Sequence, residues 1–309
     1  MMDEVIRVEQ LARDYRGRPA LADVSFALAR GVVLGLLGAN GAGKTTCLQI
    51  LSGNLAPSAG RVTILGQDLL RAPLAARRHI GYLPERPPLH LDMRVDEYLT
   101  YCARLRRMPR AAVAPALARV KRRCGLEGVG GRLLGRLSKG YRQRTGLAQA
   151  ILHEPALVLL DEPTDGLDPV QIREVRDLIR DLGANHTLVL SSHQLPEVQA
   201  VCDQVLILKQ GRVVHAGRLG DTAPDGRWYR VGVAPDPGGS ALEPLPAVAC
   251  AELDPAGGYR VRLQTGVEPA ELVRQIVGAG WGLHELTPER TDLEQVFLAS
   301  MGREAGDQA

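Results

Sequence analysis

Residues 38–46 read GANGAGKTT, and no other segment restricts the fold of this chain as tightly. Gly38, four intervening residues, then Gly43, Lys44 and Thr45 satisfy the spacing G-x-x-x-x-G-K-[ST]. An apolar run over 32–37 precedes it, and a helix-like run over 45–52 follows and ends at Gly53. Between a strand and a helix, Gly38, Gly41 and Gly43 let the backbone turn tightly and aim its N–H groups inward. The helix start adds unpaired donors and the positive end of its dipole. The segment is therefore expected to hold the phosphates of a nucleoside triphosphate. Lys44 is expected to reach the outer phosphates, and the Thr45 hydroxyl to ligate Mg²⁺.

A second acidic element suits the same chemistry. LVLLDEP, residues 157–163, reads as an apolar strand ending in Asp161 and Glu162. Burying that strand beside the loop would let Asp161 hold Mg²⁺ through water, and Glu162 polarise an attacking water as general base. LSKGYRQR, residues 137–144, opens a helix running to about Leu152. Ser138 is a natural cap there, but Gly140 in the first turn costs up to about 1 kcal/mol against alanine. A helix opened by serine and glycine is another phosphate-binding device. His193 follows the strand-like run 187–192 and is expected at the carboxyl edge of the sheet, where such folds bind ligands.

The pattern up to about residue 217 alternates short apolar runs with helical stretches, which predicts an α/β domain with a mostly parallel sheet. Between the strand-like runs 158–160 and 187–191 lies a helix over 170–182. Asp168 is its expected N-cap, Pro169 sits in its first turn and Gly183 lies just past its end. Residues 86–136 read as Arg- and Ala-rich helices without a strong strand, a helical insertion that continues with the next helix to about residue 153. Gly220–Gly226 and Ala234–Ser240 have linker or loop composition. Beyond them a strand over 259–264 and helices over 269–277 and 291–301, the latter with Thr291 and Glu294 at capping-box spacing, predict a small α+β domain. The expected organisation is 1–220 for the nucleotide-binding domain, 221–302 for the appendage and 303–309 for a flexible tail.

The chain has 309 residues and a formal charge of +3, with arginines clustered at 104–110, 119–123 and 132–136. These clusters read either as solvated helical faces or as contacts to an anionic membrane surface or acidic partner. Few aromatics accompany them, which argues against a base-stacking nucleic-acid surface. No apolar stretch approaches the roughly 18 residues of a membrane span, and the first ten residues lack signal-peptide character. Cys47, Cys102, Cys124, Cys202 and Cys250 lack C-x-x-C spacing and read as reduced, mostly buried thiols of a cytoplasmic protein.

The phosphate loop, the segment LSKGYRQR, the Asp161–Glu162 pair and His193, in that order, resemble the nucleotide-binding subunit of an ATP-binding cassette (ABC) transporter over residues 5 to about 217. The resemblance implies that Gly38, Asn40, Gly41, Gly43, Lys44, Thr45 and Thr46 hold ATP and Mg²⁺, and that Tyr15 stacks on adenine. It implies that Asp161 attends Mg²⁺, that Glu162 is the base and that His193 contacts the γ-phosphate. Ser138 and Gly140 would meet ATP held by the opposite copy of a homodimer, and Asp168 would communicate across it or simply cap its helix.

Two segments depart from the common family pattern. Glu85, in IGYLPE, stands where a glutamine is usual; its oxygen can still ligate Mg²⁺, with an added negative charge. Lys139 and Tyr141 replace the usual Gly and Gln. Both variants resemble the ATPases of drug, polysaccharide and gliding-motility exporters, and TDLEQVFLA resembles the end of the extra domain many of them carry. The resemblance implies ATP hydrolysis driving transport, with export favoured, through separate transmembrane permease subunits at the cytoplasmic face of the membrane. It names no cargo. The competing reading is a soluble ATP-driven switch. Such relatives usually carry two cassettes or a long coiled coil, and one cassette without sustained heptads is seen here.

Overall fold

The computed structural model describes residues 4–219, 228–238, 241–254, 257–264 and 266–288, together with Leu293 and Phe297. Two compact units divide the described residues, one made of those up to Leu219 together with Phe297 and the other lying within Gly220–Val296.

The first unit opens with a long antiparallel hairpin of β1 (Glu4–Tyr15) and β2 (Arg18–Ala29). Its tip, Arg16 and Gly17, has both φ angles positive, the geometry that matches strand twist. β3 (Val33–Leu37) leads through residues 38–43 into α1 (Lys44–Leu51). β4 (Ala59–Ile64) and β5 (Gln67–Asp68) return to the hairpin and complete an antiparallel sheet ordered β2-β1-β4-β5. After α2 (Pro73–Arg77) and β6 (Ile80–Leu83) come three helices, α3 (Val95–Leu105), α4 (Arg110–Arg123) and α5 (Lys139–Ile151). β7 (Leu157–Leu160), α6 (Pro169–Gly183), β8 (Thr187–Ser192), α7 (Leu195–Val201), β9 (Gln204–Lys209) and β10 (Arg212–Arg218) follow.

The second sheet runs β10-β9-β3-β8-β7-β6, and every pairing in it is parallel except that of β10 with β9. β3, β7 and β8 are buried along their whole length, because a parallel sheet is covered on both faces. This accounts for unbroken apolar runs where a half-exposed strand would alternate. The mixed α/β class with a mostly parallel sheet is as the sequence predicts.

The antiparallel sheet is not anticipated by the sequence reading. Register shifts between Glu4 and Ile6, and again between Val8 and Asp14, break the period-two pattern of β1. One buried cluster joins Ile6 and Val8 of β1, Leu36 of β3, Leu48 and Leu51 of α1 and Leu159 of β7. α1 therefore docks between the two sheets, and burial of each such leucine contributes about 1.5–3 kcal/mol. That packing is what holds the loop before α1 in place.

The smaller unit contains β11 (Trp228–Ala234), β12 (Val248–Leu253), β13 (Tyr259–Leu263), α8 (Pro269–Gly278) and β14 (Gly282–Pro288). Its antiparallel sheet is ordered β12-β13-β11-β14. Val231, Val261, Leu272 and Ile276 are fully buried between α8 and the sheet. The helix expected over 291–301 and the linker 220–226 lie outside the described residues, apart from Leu293 and Phe297. All five cysteines are free, with Cys47 and Cys124 buried. Among the described residues no helix is long and apolar enough to cross a membrane.

β6 and α5 touch so closely at Gly81 that a Cβ there would fall on the Ala150 carbonyl. Gly81→Ala must push the helix off the sheet. We expect a loss of about 1–3 kcal/mol of stability, read as a lowered urea midpoint; an unchanged midpoint would contradict this packing.

Candidate active site

The loop between β3 and α1 depends on its glycines. Gly41 and Gly43 have φ of 81° and 105°, values that other L-residues rarely adopt. A Cβ on Gly43 would also lie 2.5 Å from the Ala20 carbonyl oxygen. α1 begins at Lys44 with no side-chain cap and no acidic residue in its first turn. Its leading N–H groups thus face the loop without an anionic partner from their own helix. Lys44 is only 5% exposed. Its Nζ donates to the carbonyls of Gly38 at 2.8 Å and Ala39 at 3.1 Å, and lies 3.3 Å from Glu162 Oε1.

The parallel sheet carries the acidic side. Asp161 immediately follows β7, one strand over from β8, and is 1% exposed. Its Oδ1 accepts from Ser191 Oγ at 2.7 Å and from Thr45 Oγ1 at 3.2 Å. Its Oδ2 is buried without a protein partner. Burial raises the Asp161 pKa above the ordinary carboxylate value; the two hydroxyl bonds oppose this, and the charges of Glu162 and Glu85 add to it.

Glu162 sits at φ 45°, a left-handed conformation uncommon for its type and a form of local strain found at functional sites. Its N–H donates to Ser191 Oγ at 2.8 Å, and its Oε2 lies 2.9 Å from His193 Nδ1. Ser191 therefore orients both acids of the pair.

Between loop and acids lies a cavity of about 440 Å³, whose wall includes Asn40, Gly41, Gly43, Lys44, Thr45, Thr46, Glu85, Glu162 and His193. The structure thus gathers most of the residues singled out by sequence around one cavity, with Asp161 behind Thr45. Asp165 in the wall and Ser191 beneath it were missed. Ser191 left little trace in the sequence, being one of two serines that close the strand TLVLSS.

Tyr15, Ser138, Gly140 and Asp168 lie outside this wall. Tyr15 is 43% exposed, with the Arg13 guanidinium 4.7 Å from its ring centroid. Ser138 caps α5, accepting from the Tyr141 N–H at 3.4 Å. A Cβ on Gly140 would meet the Gln171 side chain. Asp168 caps α6 through bonds of 3.0 and 2.9 Å from the Val170 and Gln171 N–H groups.

The ABC transporter family model matches residues 21–165. Over 215 residues the chain is 38% identical to the uncharacterised ABC transporter ATP-binding protein YxlF of Bacillus subtilis, covering 70% of this chain and 71% of that one. The chain belongs to the ABC transporter ATP-binding proteins. It is also 34% identical over 215 residues to the bacitracin transport ATP-binding protein BcrA of Bacillus licheniformis, covering 69% of each. Among solved structures it resembles cbiO1 of Clostridium perfringens, described as part of the ABC transporter complex cbiONQ. The TM-score is 0.64 at 29% identity, over 70% of this chain and 89% of that one. As an ABC ATP-binding subunit the chain binds ATP and hydrolyses it.

A raised folded-state pKa gives Asp161 a definite pH signature. Above 3.8, its ordinary value, the folded state keeps a proton that the unfolded chain releases, so its contribution to stability falls as pH rises. In EDTA, the unfolding free energy of the parent ABC ATPase is expected to decline with pH relative to that of Asp161→Asn. Parallel pH curves for the two proteins would contradict the burial argument.

Proposed function

We propose that this chain is the ATP-driven motor of an exporter, with the cavity beside Lys44 as its hydrolytic centre. The observation that carries the reading is the meeting of Lys44, Glu162 and His193 around one cavity, with Asp161 buried behind Thr45. Gly38 to Thr46 receive the phosphate tail, through the N–H groups of the loop and of the first turn of α1. Lys44 pairs with Glu162 in the structure; the outer phosphates, more highly charged, would draw the ammonium towards them and release the carboxylate. Glu162 then takes a proton from water as the water oxygen attacks the γ-phosphorus and the bond to the ADP oxygen breaks. His193, held against Glu162, is placed to donate to the γ-phosphate.

Three features suit Mg²⁺: the unpartnered Oδ2 of Asp161, the Thr45 hydroxyl and the Glu85 carboxylate. All are hard oxygen donors, and the remaining ligands would be phosphate oxygens and water. Bound there, Mg²⁺ neutralises phosphate charge and offsets the carboxylates gathered around it.

Ser138, Gly140, Asp168 and Tyr15 take their roles in the assembled state. A homodimer in head-to-tail arrangement would set Ser138 and Gly140 of one copy over the ATP of the other, with Asp168 at the seam and Tyr15 on adenine. ATP bridges the halves, and hydrolysis removes the bridge. Motion then passes to separate membrane subunits at the cytoplasmic face. A groove of about 600 Å³ between the sheet and the helices, lined by Gln49, Arg77, Tyr82, Arg106 and Gln149, is their proposed seat. Likeness to a bacitracin transport subunit supports export.

Glu162→Gln keeps the side-chain shape and loses the base. It is expected to bind ATP as the parent does, to slow turnover by at least about 100-fold, and to accumulate as a dimer with ATP on gel filtration. Normal turnover by this variant would remove Glu162 from the proposed role.

A further inference from the structure

Glu197 is a buried carboxylate for which the hydrolytic scheme above has no use. It stands in α7, after His193, and is 5% exposed. A carboxylate removed from water persists only where other groups replace its hydration. Here its Oε2 accepts from Thr164 Oγ1 at 2.7 Å and from Ser192 Oγ at 2.8 Å, while Arg176 stands 3.9 Å from Oε1. Thr164 and Ser192 are themselves buried.

The two hydroxyls come from different segments leaving the parallel sheet. Thr164 follows Glu162 after one intervening residue, Pro163; Ser192 immediately precedes His193. Each segment carries one half of the 2.9 Å contact between Glu162 and His193. Both segments are also tied locally. The Gln194 N–H donates to Ser192 Oγ at 3.0 Å, closing the turn around His193, and Gln143 Nε2 donates to the Pro163 carbonyl at 2.9 Å. Glu197 adds a second tie between them, beside the bond from the Glu162 N–H to Ser191 Oγ, because one of its oxygen atoms accepts from both hydroxyls. A single acceptor shared by two short hydroxyl bonds holds their spacing more narrowly than apolar contact would.

We infer that Glu197 is a positioning residue for ATP hydrolysis, clamping the segment after Glu162 to the segment bearing His193 so that base and histidine stay in register. Glu197 does not line the cavity, so the clamp acts on the chemical step and leaves nucleotide binding alone. The inference rests on the reading of Glu162 and His193 as the hydrolytic pair.

The test uses the full chain, with affinity for a fluorescent ATP analogue, Mg²⁺-ATP turnover and melting temperature measured side by side. In Glu197→Leu both hydroxyls lose their acceptor. Affinity is expected to stay within about twofold while kcat falls about 10- to 100-fold, the scale on which small misplacements act. Glu197→Gln keeps an acceptor oxygen and should recover most of the rate. Adding Thr164→Val to Glu197→Leu should lower kcat no further, since both remove one linkage. If Glu197→Leu fails to fold, Thr164→Val and Ser192→Ala each break one arm and should still lower kcat at unchanged affinity. A folded Glu197→Leu, or the two single-arm variants, turning over at the parent rate while His193→Ala is inactive would overturn this inference alone. Equal slowing by the Gln and Leu variants, in step with lost melting temperature, would also overturn it. Normal turnover by His193→Ala would remove the reading beneath it.

Discussion

A buried ammonium organises this ATPase. Lys44 lies almost wholly out of water, and carbonyl oxygens of its own loop and a carboxylate from across the sheet replace its hydration. That arrangement requires a loop able to point carbonyls at its own lysine, which glycines at φ 81° and 105° permit. It also requires β3, β7 and β8 to lie side by side, so that Glu162 arrives at the right height. The sheet order and the apolar strands follow from the need to build that neighbourhood on a rigid base.

The same neighbourhood is rich in negative charge. Asp161, Glu162 and Glu85 stand near one cavity, and one of them is buried with an oxygen left over. Carboxylates crowded in this way, on a surface that receives phosphates, repel both one another and the ligand unless a cation joins them. In the proposed scheme, ATP arriving with Mg²⁺ would rebalance the charge gathered around this cavity. Ser191, which bonds to both acids, keeps their spacing while that redistribution occurs.

The local pieces of the site were legible in the sequence because each is a short run with its own chemistry. The glycine loop, the strand ending in Asp161 and the helix capped by Asp168 all lie where their residues predict. The antiparallel sheet was not legible, since the bulges of β1 scramble its alternation. Ser191 and Glu197 escaped notice for another reason. Ser191 meets Glu162, and Glu197 meets Thr164, from about thirty positions away in the chain, and the parallel pairing of β7 with β8 brings those partners together. Tyr15, Ser138 and Gly140 belong to no constellation within one copy. The proposed dimer would supply what surrounds them.

The measurement closest to the centre of this account is calorimetric titration of ATP, with Mg²⁺ present, into the parent protein and into Lys44→Ala. The parent should bind, and the variant, deprived of the charge that meets the outer phosphates, should lose affinity by at least about tenfold. Equal affinity in the two proteins would mean that the triphosphate is held elsewhere, and the site built around Lys44 would not be the one that works.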